Sequence, residues 1–169
     1  MKNEIKLAGH TFTLKHIQYG IHSEETVDYM ADLYCDGKLI AYVENDGHGG
    51  CSTAHWNHDN LDFAREVELA VRKEVWITCQ DGTQIYYTLG EVADEVLQLT
   101  ERNKEINRLQ KNALVLEKDG EIFFSTIKFN FPVKEMVEKF PVMVENAISH
   151  AKGKGWTIVN TNIPEEMLR

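Results

Sequence analysis

Prolines are few in this chain. Pro132, Pro141 and Pro164 all fall in the last quarter of the 169 residues, so no proline-rich linker divides it. Cysteines are equally few. Cys35, Cys51 and Cys79 are an odd number with no Cys-x-x-Cys pair, which excludes a disulfide framework. Cys35 and Cys79 sit in apolar runs and read as small buried hydrophobes. No run of about 18 apolar residues exists to cross a bilayer as a helix. The opening MKNEIKLAGHTF lacks the apolar stretch of a secretory signal. Reduced cysteines and no signal set the expectation of a cytoplasmic protein. Basic residues are outnumbered, 18 against 27 acidic, for a formal net charge of -9. That balance argues against a general nucleic-acid binder, which needs a basic face to displace counterions. It argues equally against docking on an anionic membrane. No low-complexity tract or solenoid repeat is present.

What is present is ordinary globular material, 43% hydrophobic and 27% charged. A chain of this length buries roughly 70% of the surface its unfolded form exposes, so it can hold a core unaided. A boundary could be drawn near Asn112, but the expectation is one domain over 1–169.

The first part alternates as strands do. Residues 12–19 show period-two patterning, and residues 27–35 and 39–43 flank Asp36-Gly37. An Asp-Gly pair between two such runs is the strongest short hairpin signal. A helix is expected from about Leu61 to Val75, where Phe63, Val67, Val71 and Val75 recur every four residues and Asp59 or Asn60 can cap the first turn. Asp81-Gly82 marks a short hairpin or packed loop in the stretch that follows. Thr88-Leu89-Gly90-Glu91 has capping-box form and opens a helix to about Asn112. Along that helix Val92, Val96, Leu99, Asn103 and Ile106 step by heptad spacing. The stripe reads as a helix lying on a sheet, or as a homodimer seam with Asn103 setting the register. Asp119-Gly120 repeats the hairpin signature. Two further helices around Val133–Phe140 and Met143–Ala151 follow, stopped by Gly153 and Gly155, and a last strand over 156–160. Runs of strands and runs of helices mean α+β, an antiparallel sheet built from hairpins with several packed helices.

Most of the chemistry is concentrated in residues 44–60, ENDGHGGCSTAHWNHDN. His48, Cys51, His55 and His58, with Asp59 beside them, are residue types that hold zinc, at spacings a loop can bring together. The same segment also reads as an anion-binding loop. Asn45, Asp46, Gly47, His48, Gly49 and Gly50 offer backbone free to take positive φ, and successive N–H groups in that conformation cradle phosphate or carboxylate. Ser52 and Thr53 add hydroxyls, and Trp56 an aromatic face. It is neither a P-loop nor a dinucleotide fingerprint, since no Gly-Lys-Ser/Thr follows and the Gly-x-Gly-x-x-Gly spacing is absent. The plain alternative is a structural loop turning sharply over the sheet edge. A Cys51 nucleophile with His48 or His55 as base would require neighbours on one loop to align as a dyad. His10, His16 and His22 lie in or beside the first strand. Arg102, Lys104, Arg108 and Lys111 make the end of the long helix basic, as dipole matching favours.

The stretch from Asp36-Gly37-Lys38 through Glu44-Asn45-Asp46-Gly47-His48-Gly49-Gly50 resembles a segment of small proteins encoded by tailed phages and prophages. So does the ending Gly155-Trp156-Thr157-Ile158-Val159-Asn160-Thr161-Asn162. The resemblance implies a small protein of the host bacterial cytoplasm that blocks a host component or sequesters a small signal. The leading expectation is therefore a binding protein, an antagonist of host defence. Its ligand would be a host protein, or an anionic nucleotide held by the glycine-rich loop. The alternative is a metal-dependent hydrolase, with water on a metal held by His48, His55, His58 and Asp59 and with Asp46 or Glu44 as base.

Overall fold

The computed structural model describes residues 2–21, 24–118 and 124–169. Their contacts fall into two compact units, Lys2–Thr100 and Glu101–Arg169, each with its own apolar core. The fold class is α+β, and the described strands pair antiparallel.

The first unit is built on a five-stranded meander. Its strands β1 (Glu4–Leu7), β2 (His10–Tyr19), β3 (Tyr29–Cys35), β4 (Lys38–Asn45) and β5 (Thr53–Trp56) lie in sequence order. Two tight turns close the same end of this sheet. Ala8 and Gly9 take φ of 51° and 82°, and Asp36 and Gly37 take 48° and 82°. Two consecutive left-handed residues make a type I′ turn, whose twist matches the strands it joins. β2 carries a bulge between Lys15 and Gln18, where His16 has φ 52°. The expected strands over 12–19, 27–35 and 39–43 are all found, with Val27 lying before β3. β1 and β5 were not expected.

Alternation along β3 assigns the faces. Tyr29, Ala31, Leu33 and Cys35 are buried, while Met30 between them is 54% exposed. The buried face packs against Ala64, Val67 and Val71 of α1 (Leu61–Val71). The short strands β6 (Val75–Thr78) and β7 (Gln84–Tyr86) form a hairpin, so the stretch around Asp81-Gly82 takes the hairpin form. α2 (Leu89–Leu109) then adds Leu89, Val92, Ala93, Val96 and Leu97 to the same core. α1 ends a turn before Val75. Arg72 and Lys73 donate their N–H groups to Glu68 and Ala70, closing the helix, and Val75 opens β6 instead. Asn57 is the residue that caps here. Its side chain accepts the Asp59 N–H at the head of a single 3-10 turn, His58–Asn60, while Asn60 bonds the Leu39 carbonyl.

The second unit begins inside α2. It holds β8 (Ala113–Glu117), β9 (Ser125–Lys128), α3 (Val133–Lys139), α4 (Pro141–Gly153), β10 (Thr157–Ile158) and α5 (Glu165–Leu168), with sheet order β10-β8-β9. The Asp119-Gly120 turn lies outside the described residues, as does His22. Asn160 fixes the end of the chain to β8. Its Oδ1 accepts the Val115 N–H at 2.6 Å and its Nδ2 donates to the Ala113 carbonyl at 3.0 Å. Of the heptad stripe, Val92, Val96, Asn103 and Ile106 are buried within the single chain, and Leu99 is half-buried. The basic side chains of α2 are paired inside the second unit: Arg102 with Glu117, Lys104 with Glu101 and Arg108 with Glu105.

Candidate functional site

The glycine-rich loop is stitched into the first unit by its own polar groups. Buried Asn45 uses all four of its hydrogen-bonding positions. Oδ1 accepts from the Thr26 hydroxyl (2.7 Å) and the Gly47 N–H (3.0 Å), and Nδ2 donates to the Gly50 carbonyl (3.2 Å) and Ser52 Oγ (3.3 Å). The Gly47 carbonyl accepts the N–H groups of Glu24, Glu25 and Thr26 at 3.0, 3.1 and 3.3 Å. Gly47, Gly49 and Gly50 do take positive φ. Their conformation is the one expected, but four N–H donors of the loop, those of Gly47, His48, Gly49 and Ser52, are already engaged. The His48 N–H goes to Asp46 Oδ1, the Gly49 N–H to Thr26 Oγ1 and the Ser52 N–H to Asp94 Oδ2.

Ser52 is buried, and its hydroxyl meets Asp94 Oδ1 and the Tyr29 hydroxyl. Burial, helped by the nearby Asp94 charge, pushes the Tyr29 phenol well above its ordinary range even though a bond from Ser52 opposes the rise. The neighbouring Cys51 is exposed, and its thiol bonds Glu91 in the first turn of α2, which pushes the thiol up to about 11. Burial acts to raise Glu91, but hydrogen bonds from Cys51 and from the Thr88 hydroxyl and N–H outweigh it and hold the carboxyl below the usual range. The expected cap at Thr88 forms with its forward bond one residue early: Glu91 accepts the Thr88 N–H, and Thr88 Oγ1 accepts the Gly90 N–H at 3.2 Å. Asp94 was not singled out in the sequence, and Glu91 was read there as a cap and not as a partner of the loop. The one local signal was Gly90, a poor helix former inside a first turn. A Cβ there would lie 1.9 Å from the Ser52 carbonyl oxygen, so only glycine admits the loop.

The loop residues expected to hold zinc go separate ways. His48 pairs with Glu24, Cys51 with Glu91 and His55 with Glu44, while His58 stands in the 3-10 turn with Asp59. Among the described residues, a single set of three or more His, Cys, Asp or Glu has its ligand atoms mutually within 4.8 Å. That set is His10, Cys35 and Asp36. Trp56 stands on edge strand β5. Its indole N–H donates to Glu68 at 2.7 Å and its ring lies under Arg65.

Two adjoining clefts open on the outward face of the sheet and the loop rim. One, of about 190 Å³, lies among His16, Asp32, Tyr42 and His55, and the other, of about 480 Å³, among Asp28, Asn45, Asp46, Gly49, Cys51 and Thr53. Met30 and Glu44 belong to both. Four carboxylates line them, those of Asp28, Asp32, Glu44 and Asp46, and no lysine or arginine does. His16 Nδ1 lies 2.7 Å from Asp32, and His55 Nε2 lies 3.1 Å from Glu44. Met30 and Tyr42 supply exposed apolar surface.

The chain matches no family model, no curated protein and no solved structure. No helix of the described residues is long and apolar enough to cross a membrane.

Proposed function

We propose that this chain is a binding protein without catalytic activity that takes a basic segment of a partner protein into the acidic clefts beside the glycine-rich loop. The observation carrying this reading is the lining: four carboxylates around exposed Met30 and Tyr42, with no lysine or arginine. Aromatic residues and methionine are enriched where proteins bind one another. A cleft of one charge sign focuses its field, recruits the opposite charge and rejects its own. The same carboxylates disfavour an anionic nucleotide, as does the engagement of those four loop N–H groups within the fold. Of the two ligands the sequence suggests, a host protein therefore fits better. The resemblance to phage-encoded proteins supplies the setting, in which covering a basic surface of a bacterial protein would block host defence.

Calorimetric titration of the chain tests this against a lysine- and arginine-rich peptide, an acidic peptide of equal length, and cyclic and linear nucleotides. The basic peptide is expected to bind, with affinity that falls as salt rises. Nucleotide binding without peptide binding would overturn the reading.

A further inference from the structure

We propose that His10, Cys35 and Asp36 form a site for a divalent transition metal of the zinc class, with a fourth position open to solvent. The site shares no residue with the clefts described above. It is a product of the two type I′ turns. His10 opens β2 directly after Ala8-Gly9, Cys35 ends β3, and Asp36 is the first residue of the next turn. Phe12 stands opposite Cys35 in the sheet, and His10, two residues before Phe12, shares its face. The left-handed backbone of Asp36 brings its carboxylate back over this end of the sheet. Oδ1 accepts the Thr11 N–H at 2.9 Å, while Oδ2 faces His10 Nδ1 at 2.7 Å and Cys35 Sγ at 3.8 Å.

Imidazole nitrogen, thiolate and carboxylate are the donors zinc takes, and three protein ligands with a vacancy are its catalytic pattern. In a tetrahedral shell the nitrogen and oxygen ligands stand about 3.4 Å apart. A sulfur and an oxygen ligand stand about 3.5 Å apart, so the Cys35–Asp36 pair at 3.8 Å must close by about 0.3 Å and the His10–Asp36 pair must open by about 0.7 Å. Cys35 is fully buried, while the side chains of His10 and Asp36 are 22% and 44% exposed. The site thus has one dry wall and one entrance. The Thr11 N–H holds the carboxylate in place as an outer-shell partner does. The Phe63 ring packs edge-on against His10, at 6.2 Å between ring centres.

The protons balance. Without metal, the thiol proton points at Asp36 Oδ2. Burial, then the Asp36 charge, pushes Cys35 up to about 12, so the thiol keeps its proton at neutral pH until a metal takes its place. Binding forms the Sγ–metal, Nδ1–metal and Oδ2–metal bonds. The thiol proton leaves to solvent, and the Nδ1 proton that His10 gives to Asp36 in the metal-free site also leaves Nδ1, the neutral ring taking the tautomer with its proton on Nε2.

Cobalt(II) titration of the full chain, read by absorbance, tests the site. One cobalt per chain is expected, with a thiolate-to-metal charge-transfer band in the near ultraviolet, bleached by one equivalent of zinc. Cys35→Ser removes the band, while Cys51→Ser and Cys79→Ser keep it. Because Cys35 is fully buried, Asp36→Asn is measured beside it. Asparagine keeps an acceptor for the Thr11 N–H and tolerates the left-handed turn, and it should weaken cobalt binding about tenfold or more. Four results would each overturn the proposal: no band in the unmodified chain, a band that survives Cys35→Ser, a band lost in Cys51→Ser, or unchanged cobalt affinity in Asp36→Asn.

Discussion

Asp94 holds Ser52 at two points. One carboxylate oxygen accepts the serine hydroxyl and the other accepts its backbone N–H at 3.1 Å. Tyr29 adds its hydroxyl to the same carboxylate at 3.0 Å. The link joins the exit of the glycine-rich loop to the second turn of α2. Among the described residues, no buried side-chain nitrogen or oxygen lacks a partner.

Asp94→Ala leaves the Ser52 N–H without its acceptor and costs the Ser52 and Tyr29 hydroxyls one bond each, although those two still meet. Each buried group left without a partner costs about 1–3 kcal/mol. The expected loss is about 2–3 kcal/mol in urea unfolding, with Asp94→Asn losing less because it keeps one acceptor. An unchanged midpoint for the alanine variant would contradict the role given to this contact.

Gly90→Ala should destabilise, against the ordinary helix scale. In an unconstrained helix interior the change gains about 1 kcal/mol. Here the new methyl would meet the Ser52 carbonyl, and overpacking of this kind costs about 1–3 kcal/mol. Thermal unfolding decides the sign. A raised midpoint would mean the loop does not close against α2.

Glu91 links the same contact to pH. Its folded carboxyl titrates below its unfolded one, so its contribution to stability is present above the usual glutamate range and is lost as pH falls through the folded value. Glu91→Gln keeps the capping-box form and should flatten the acid limb of the stability curve. The same change removes the charge that keeps Cys51 protonated. Iodoacetamide at pH 8 should therefore modify Cys51 faster in the glutamine variant than in the unmodified chain. Equal rates would contradict the Cys51–Glu91 contact.

Asn160→Ala should loosen the second unit. It leaves the Val115 N–H and the Ala113 carbonyl without their partner, at a cost of about 2 kcal/mol. Hydrogen exchange at the Val115 amide should speed up, while amides of β3 in the first unit keep their protection.

The hairpin at Asp36-Gly37 and the cap at Thr88 were legible because each is written in residues adjacent or nearly adjacent in the chain. β5 was not. Thr53–Trp56 has no buried residue and becomes a strand only by pairing with β4. β1 is as short, and its Ala8-Gly9 turn lacks the Asn or Asp that usually signals one. The division into two units leaves no composition mark, because its boundary falls inside the continuous helix α2. The loop stood out for its glycines and histidines, yet its chemistry depends on distant residues. Gly49 donates to Thr26 and Ser52 to Asp94, 23 and 42 positions away. Nothing local distinguishes a loop whose N–H groups wait for an anion from one whose N–H groups are already bonded.

Charge cancellation tests the central claim most directly. In a Glu44→Lys, Asp46→Lys variant, both exposed positions offset the remaining Asp28 and Asp32 carboxylates without entering the core. Calorimetry should show the unmodified chain binding a lysine- and arginine-rich peptide and ignoring an acidic one, and the variant losing the basic peptide. If the variant still binds the basic peptide with unchanged affinity, the acidic clefts are not where the partner sits.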